Sequence, residues 1–194
     1  MSGAETPRRA SAAVEEYLDL PLGRFLELVA SRRPAPGGGS VAAAVVAAAA
    51  GLAGMTARLS SGHLDAAPDL SGEADRLREE AAPLVRADAE AYGRVLEARR
   101  SREGVHEALS EAAEVPLQIA GVGARVARLA ARLAGEGNPN LKGDAIAAVL
   151  LAEAATSAAA ELVRINEPEG ERVRQAGRFA RAAAEARRTV TGDR

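Results

Sequence analysis

The spacing of apolar and polar residues predicts a chain folded from helices alone. Apolar side chains recur three or four positions apart along most of its 194 residues, which is the spacing that places them on one face of an α-helix. Roughly a quarter of the positions are Ala, the strongest helix former. The β-branched and aromatic residues that strands favour are scarce. We therefore predict an all-α fold, organised as a single-domain helical bundle.

Prolines, glycines and polar clusters divide this pattern into successive helices. The predicted helices cover about 15–32 with a kink near Pro21, 40–60, 72–101 with a kink at Pro83, 104–114, 116–134, 144–165 and 169–188. The apolar side of the first helix carries Leu18, Leu22, Phe25, Leu26 and Val29. Residues 60–72 are rich in Gly and polar side chains and are predicted to form a loop. Residues 1–14 lack an apolar run, so we expect a flexible N-terminal tail before a domain over 15–190.

The helix predicted over 40–60 is the most apolar of the set. Its run from Val41 to Met55 is mostly Ala and Gly and falls short of the ~20 strongly apolar residues that a bilayer requires. Small side chains allow helix axes to approach closely, so we expect this helix at the centre of the bundle, covered on every side. A bundle with few large hydrophobic residues also favours burial of more surface by forming a homodimer.

Composition and charge exclude several classes of function. The chain has no Cys and only two His residues, His63 and His106. A zinc or haem site would need carboxylates almost alone, so we expect no metal. The net charge is −2, with both signs interleaved and four aromatic rings in all, which argues against a nucleic-acid surface. The absence of Cys and of a signal sequence indicates a cytoplasmic protein that does not contact membranes.

The segment Pro34 to Ser40 is the first candidate for chemistry. Gly37, Gly38 and Gly39 allow backbone N–H groups to converge, and the helix that follows adds positive partial charge. Such a site suits a carbonyl or carboxylate group. The alternative is a tight turn in which Ser40 caps the helix.

Asp88 is the second candidate because it lies in the middle of an apolar face. The residues at helical spacing around it are Leu77, Ala81, Leu84, Val85, Ala91, Tyr92 and Val95. Burial would raise the pKa of its carboxyl group and make it a proton donor or acceptor near neutrality. The alternative is an ion pair with an Arg of a neighbouring helix. Tyr92, one turn later, can stand beside Asp88 as a hydrogen-bond donor or stacking surface, or belong to the core.

The third candidate is the turn over residues 137–144. Asn138, Asn140, Lys142 and Asp144 combine two amides, one ammonium and one carboxylate, which together can recognise a polar heterocycle. The alternative is helix capping, with Asn140 as N-cap, Asp144 in the first turn and Gly137 ending the preceding helix.

Five segments occur in an order and spacing that identify a family. They are PAPGGGSVAAA, DAEAYGRVLEA, AAEVPLQIA, GNPNLKGDA and AAAELVRIN. Over about residues 18–190 the chain resembles the cyclodeaminase/cyclohydrolase family. This family comprises the cyclodeaminase domain of formiminotransferase-cyclodeaminase and stand-alone methenyltetrahydrofolate cyclohydrolases. The resemblance implies an all-helical homodimer that binds a tetrahydrofolate derivative near the subunit interface and uses no metal or other cofactor.

The resemblance also implies a reaction and roles for the candidate residues. Cyclodeamination of 5-formiminotetrahydrofolate closes a ring and expels ammonia, whereas cyclohydrolysis of 5,10-methenyltetrahydrofolate adds water to an amidinium-like carbon. Both reactions need a proton shuttle, and Asp88 is the expected one. The expected substrate-binding residues are Gly37, Gly38, Gly39, Ser40, Tyr92, Asn138, Asn140, Lys142 and Asp144.

An alternative function rests on departures from the family pattern. The chain has His63 within Ser61-Gly62-His63-Leu64-Asp65 where a basic and aromatic cluster is usual, Gly143 where a Ser precedes the Asp, and Glu161 in place of an Asn. These differences keep open a non-catalytic dimeric homologue that binds folate or serves as a scaffold.

Overall fold

A computed structural model describes residues 16–192, and all regular structure in this part of the chain is helical. After a short 3₁₀ turn at Tyr17–Asp19, the helices are α1 (Leu22–Val29), α2 (Gly38–Arg58), α3 (Ala67–Ala81), α4 (Leu84–Ser101), α5 (Val105–Ala112), α6 (Glu114–Glu136), α7 (Lys142–Asn166) and α8 (Glu171–Thr191). A second 3₁₀ turn, Pro139–Leu141, joins α6 to α7. The predicted all-α fold is confirmed. The predicted tail over 1–14 lies outside the described residues.

The prolines act where expected, although two of the predicted bounds are wrong. The predicted helix over 72–101 is interrupted at Pro83, which separates α3 from α4. The predicted loop over 60–72 is too long, since α3 already begins at Ala67. Pro68 lies in the first turn of α3, where its missing N–H has no intrahelical partner to lose. This proline therefore begins a helix instead of extending a loop.

The predicted first helix is broken, and its apolar side faces the other way. A turn and the short helix α1 replace the continuous helix over 15–32. Phe25 and Leu28 are buried, and the Phe25 ring meets the Tyr17 ring edge to face, with centroids 6.2 Å apart. The remaining apolar residues predicted to face the core are exposed: Leu18, Leu22, Leu26 and Val29. Packing of the aromatic pair sets the orientation of this short helix.

Helix α2 lies at the centre of the bundle but is not covered on every side. It packs against α3, α4, α6 and α7. Ala43, Val46, Ala49, Ala50 and Ala53 have no accessible surface. The opposite side of α2 remains partly or fully exposed, and it is just as apolar as the buried side. Composition alone could not separate the two sides, because Ala, Gly and Val occupy both.

Two helices, α2 and the segment Pro139–Asn166, are long and apolar enough to cross a membrane by length and composition. Part of each packs within the bundle instead: 56% of the most apolar 18-residue stretch is buried in α2, and 39% in Pro139–Asn166. Where α6 meets α2 and α7, a Cβ on Gly123 would lie 2.3 Å from Thr156 Oγ1 and 3.2 Å from Val46 Cγ2. Such contacts require small residues between the helices.

Candidate active site

A cleft of about 380 Å³ opens at the N-terminal end of α2. Its walls come from the loop before α2, from α4 and α5, from the start of α6 and from the end of α7. Most of the lining is apolar, contributed by residues such as Pro34, Ala91 and Leu162. Clefts of this size with a few polar groups are typical small-molecule sites.

Asp88 supplies the carboxylate of the cleft and holds the first turn of α2. Its Oδ2 atom accepts hydrogen bonds from the Ser40 backbone N–H at 2.8 Å and from Ser40 Oγ at 3.0 Å. The first N–H groups of a helix have no intrahelical acceptor, so a carboxylate at this position satisfies one of them and meets the positive end of the helix dipole. The prediction of Ser40 as the N-cap is wrong, because α2 begins at Gly38 and Gly37 is its N-cap.

Burial dominates the titration of Asp88. Desolvation in the half-buried site raises the pKa of its carboxyl group above the ordinary value of 3.8, and the two hydrogen bonds from Ser40 lower it in part. No Arg of the described chain pairs with Asp88, so the alternative of an ion pair is wrong. The second oxygen, Oδ1, accepts no hydrogen bond from the described residues.

Gly39 is required by the close approach of Asp88. A Cβ at this position would lie 1.9 Å from Asp88 Oδ1 and 2.4 Å from its Cγ. Any side chain would displace the carboxylate or the start of α2. Gly37 and Gly38 also line the cleft, where their neighbours leave ordinary space. The glycine segment therefore brings backbone against the carboxylate, and its third glycine cannot be replaced without movement.

Tyr92 lies one turn after Asp88 on α4 and borders the same cleft. Its side chain is 40% exposed, which places it in the wall of the cleft and not in the core. Arg99 lies further along the same face of α4 and is the cation among the described lining residues. The sequence reasoning missed Arg99, although its spacing from Asp88 and Tyr92 predicts a shared helix face.

The end of α7 supplies residues that the sequence reasoning also missed. Leu162, Ile165 and Asn166 line the cleft, and Asn166 Nδ2 donates to the carbonyl oxygen of Ala112 at 3.3 Å. The place of Asn166 within the segment AAAELVRIN, one of the five that carry the family resemblance, is the signal that indicates it. Four of the five segments singled out from the sequence thus meet at this cleft.

The fifth segment, over residues 137–144, lies at the other end of α2. Ser60 Oγ accepts the Asn138 backbone N–H at 2.9 Å, and Asn138 Nδ2 donates to the carbonyl oxygen of Leu59 at 3.2 Å. Since α2 has 21 residues, this turn lies about 30 Å from the cleft along the helix. Within one chain, Asn138, Asn140, Lys142 and Asp144 are therefore not brought to Asp88.

Local roles in this turn differ partly from the capping alternative. The Asn138 side chain accepts the Asn140 backbone N–H at 3.0 Å and so caps the 3₁₀ turn. Asn140 is not the N-cap of α7, which begins at Lys142. Gly137 ends α6 and Asp144 lies in the first turn of α7, as expected.

The three departures from the family pattern lie outside the lining of the cleft. His63 follows α2, and its backbone N–H donates to the carbonyl oxygen of Ser60 at 2.8 Å. Gly143 has open space around it, and Glu161 forms an exposed ion pair with Arg164. Within residues 16–192, no group of three His, Asp or Glu side chains is arranged to hold a metal ion.

The fold and the cleft define an all-α protein with a cleft built around one desolvated carboxylate. Comparison with known proteins gives the family. The family model described as formiminotransferase-cyclodeaminase matches residues 21–184. The methenyltetrahydrofolate cyclohydrolase of Methylorubrum extorquens is 33% identical over 159 residues, spanning 73% of this chain and 76% of that protein.

A solved structure gives the same result. The crystal structure of formiminotetrahydrofolate cyclodeaminase from Thermotoga maritima superposes with a TM-score of 0.75 at 31% identity, and the match covers 90% of this chain and 92% of that one. The chain belongs to the cyclodeaminase/cyclohydrolase family, and the resemblance found in the sequence is confirmed. The two relatives are named for different reactions at similar identity, so the comparisons establish the family and not the reaction.

Proposed function

We propose that the protein is a cytoplasmic one-carbon enzyme that makes or breaks a C–N bond at the N5/N10 bridge of tetrahydrofolate. Its substrate is 5,10-methenyltetrahydrofolate in the hydrolytic direction or 5-formiminotetrahydrofolate in the cyclodeaminating direction. Both reactions pass through a carbon bonded to two nitrogens, which carries positive charge in the methenyl compound. One site can serve either reaction, since the same atoms react.

The observation that carries this proposal is the state of Asp88. Its carboxylate lies in a largely apolar cleft, is fixed through Oδ2 by Ser40, and has no cationic partner among the described residues. A carboxylate without a partner is complementary to a cationic carbon, and the attraction is strong where water is scarce. Its raised pKa brings proton donation and acceptance closer to neutral pH.

In cyclohydrolysis, water attacks the methenyl carbon while Asp88 Oδ1 takes one of its protons. The tetrahedral intermediate then collapses: the proton passes from Asp88 to one ring nitrogen, the bond between that nitrogen and the carbon breaks, and the hydroxyl group on the carbon releases its proton to solvent as the C=O bond forms. A formyl group remains on the other nitrogen. The proton taken from water is thus returned to the leaving nitrogen, and the carboxylate is regenerated.

In cyclodeamination, N10 attacks the carbon of the formimino group in its protonated form, N5–CH=NH₂⁺, and the C–NH₂ bond then breaks. Asp88 accepts the N10 proton and delivers it to the departing nitrogen, which leaves as ammonia. The product is the methenyl cation, which the carboxylate then stabilises. No step in either direction is routed through a metal or other cofactor.

Other residues of the cleft position the substrate. Tyr92 offers an aromatic face to a planar group, and the backbone at Gly37 and Gly38 can approach the ligand closely because no side chain intervenes. Leu162 and Ile165 make one wall of the cleft apolar. A reacting carbon over Asp88 is thus held between the start of α2 and the face of α4.

The protein acts as a homodimer in this proposal, and an apolar seam on α2 supplies the interface. The seam consists of Val41, Val45, Ala48, Leu52, Met55 and Leu59, all partly or fully exposed. Their spacing alternates between four and three residues, which is the repeat that packs two helices along each other. The seam has no charged residue, and the neighbouring helix α7 continues it with the exposed Leu150 and Leu151.

A two-fold axis near residue 50, the middle of the seam, would bring the two ends of α2 together. A two-fold interface is self-complementary, so Val41 of one protomer meets the partner's Leu59. Within each chain, the Asn138 side chain donates a hydrogen bond to the carbonyl oxygen of Leu59. The turn over 137–144 of one protomer then lies at the cleft of the other. This arrangement reunites the fifth segment with the other four and gives Asn138, Asn140, Lys142 and Asp144 access to the bound folate.

Two assays of the purified protein test the proposed function. Loss of methenyltetrahydrofolate absorbance above the buffer rate identifies a cyclohydrolase, and release of ammonia from 5-formiminotetrahydrofolate identifies a cyclodeaminase. We expect at least one of these activities. The departures at His63, Gly143 and Glu161 favour a second candidate, a folate-binding homologue without turnover. That candidate is supported if neither assay gives a signal while a reduced folate still binds.

A further inference from the structure

Arg99 gives the cleft a positive end that lies opposite its negative end. It lines the cleft on the same face of α4 as Asp88 and Tyr92, since positions 88, 92, 95 and 99 share one side of a helix. No hydrogen bond or ion pair joins Arg99 to the residues of 16–192. Its neighbour Arg100, by contrast, is paired with Glu97 at 2.8 Å.

The separation of the two charges defines the length of a ligand. Arg99 follows Asp88 by three turns, or about 16 Å along the helix axis. Long side chains on a helix lean toward its N-terminus, so the Arg99 guanidinium reaches back toward Asp88 and the two charged groups lie closer together than this axial separation. The cleft therefore suits a molecule with a cationic or proton-accepting centre at one end and a carboxylate at the other.

A tetrahydrofolate has this distribution of charge. The reacting carbon lies at the N5/N10 bridge, and an aminobenzoyl ring and an amide separate it from the glutamate carboxylates by roughly 10 Å at standard bond lengths. With the reacting carbon over Asp88, the aminobenzoyl ring passes Tyr92, and the carboxylates arrive at Arg99. A guanidinium binds a carboxylate through two parallel hydrogen bonds, which gives orientation as well as affinity.

We propose that Arg99 binds a glutamate carboxylate of the substrate and thereby makes the enzyme specific for folates that carry glutamate. This inference rests on the proposed folate function and extends it, since no residue has yet been given to the glutamate end. Arg99 lies away from the reacting carbon, so its contribution is uniform binding. It lowers KM without taking part in the chemical step.

Arg99→Gln is the test, and Arg100→Gln is its matched control. Both changes remove one positive charge from the last turn of α4, so they alter net charge and the interaction with the helix dipole equally. Each protein is assayed with 5,10-methenyltetrahydrofolate and with the corresponding tetrahydropteroate, which lacks glutamate. We expect Arg99→Gln to raise KM for the folate about 10- to 100-fold with kcat nearly unchanged, and to leave KM for the pteroate unchanged. Arg100→Gln should leave KM unchanged for both substrates.

A binding measurement separates this inference from the proposed reaction. Calorimetric titration with 5-formyltetrahydrofolate and with 5-formyltetrahydropteroate reports affinity whether or not the protein turns over substrate. If the protein binds the folate more tightly than the pteroate, loses this preference in Arg99→Gln, and still turns over neither substrate, the proposed reaction is wrong, but the proposed role of Arg99 stands. The inference is overturned if the wild-type protein binds neither compound, if it binds both equally, or if Arg99→Gln weakens both to the same extent.

Discussion

At the residue scale, one side chain links the first turn of α2 to the cleft. Asp88 holds the first turn of α2 through Ser40, and it also lines the cleft. Its position on an apolar stripe could be predicted from the sequence, because helical spacing alone places it among Leu and Val residues. Its partner could not, since Ser40 lies 48 positions away and a carboxylate in an apolar setting is equally well satisfied by an Arg.

The raised pKa of Asp88 predicts a pH dependence of stability. The folded protein binds this proton more tightly than the unfolded chain, so the native state holds more protons between the ordinary pKa of 3.8 and the raised value. The contribution of Asp88 to the free energy of unfolding therefore falls as pH rises through this window and is constant above it. The free energy of unfolding of the wild type, minus that of Asp88→Asn, should decrease as pH rises from about 4, as measured by urea titration at successive pH values.

Asp75→Asn provides a comparison of opposite sign. The hydrogen bond from Arg58 lowers the pKa of Asp75, so its contribution to stability is lost as pH falls. The free energy of unfolding of the wild type, minus that of Asp75→Asn, should rise with pH in the acidic range. If the free-energy difference changes with pH equally for the two variants, or does not change for Asp88→Asn, burial does not control the pKa of the Asp88 carboxyl group.

At the element scale, the close approach of α2 and α4 builds the site. The motif before α2 and the stripe on α4 were both visible in the sequence, as were the proline that separates α3 from α4 and the turns between most helices. The buried sides of α1 and α2 could not be predicted from the sequence, because their hydrophobic residues are spread around the helix and packing decides which side is buried. The separation of the turn over 137–144 from the cleft likewise depends on tertiary packing, which local pattern does not encode.

Gly39→Ala tests the contact between these two helices. The new Cβ would overlap Asp88 Oδ1 at 1.9 Å, so the carboxylate or the start of α2 must move. We expect kcat/KM to fall by about 100-fold, since a displacement of this size misplaces a reacting group. The free energy of unfolding should fall by about 1–3 kcal/mol, as overpacked sites do. Steady-state kinetics and urea unfolding measure the two effects.

Gly93→Ala is the matched control on α4. A Cβ at Gly93 meets no atom within 4 Å, and the residue does not line the cleft. Replacement of Gly by Ala inside a helix stabilises by roughly 0.5–1 kcal/mol, and activity should be retained. Equal activity and stability of Gly39→Ala and Gly93→Ala would contradict a tight contact between Gly39 of α2 and Asp88 of α4.

At the scale of the whole molecule, the question is what covers the seam on α2. Soluble chains seldom leave a continuous apolar stripe in water, and stable interfaces bury about 800 Å² on each partner. The seam and the adjoining face of α7 provide such a stripe. An antiparallel pairing across it also explains why one family segment lies far from the other four within a single chain.

Ala48→Glu tests this interface, because Ala48 is exposed near the middle of the seam. Two-fold symmetry places both new charges close together in an apolar contact. The wild type should sediment at twice its chain mass of 19.9 kDa, whereas Ala48→Glu should sediment as a monomer with reduced activity. Leu22→Glu adds the same charge to an exposed apolar residue of α1 and should remain dimeric. A monomeric wild type, or dissociation by Leu22→Glu alone, contradicts the proposed interface.

The central claim is that the Asp88 carboxylate moves the proton in a reaction at the N5/N10 bridge. The most direct measurement is the turnover of 5,10-methenyltetrahydrofolate and 5-formiminotetrahydrofolate by Asp88→Asn beside the wild type at saturating substrate. An amide keeps the shape of the side chain but cannot accept the proton, so we predict that kcat falls about 100- to 10,000-fold on the substrate that the wild type uses, while a reduced folate still binds. Full activity of Asp88→Asn would contradict the account.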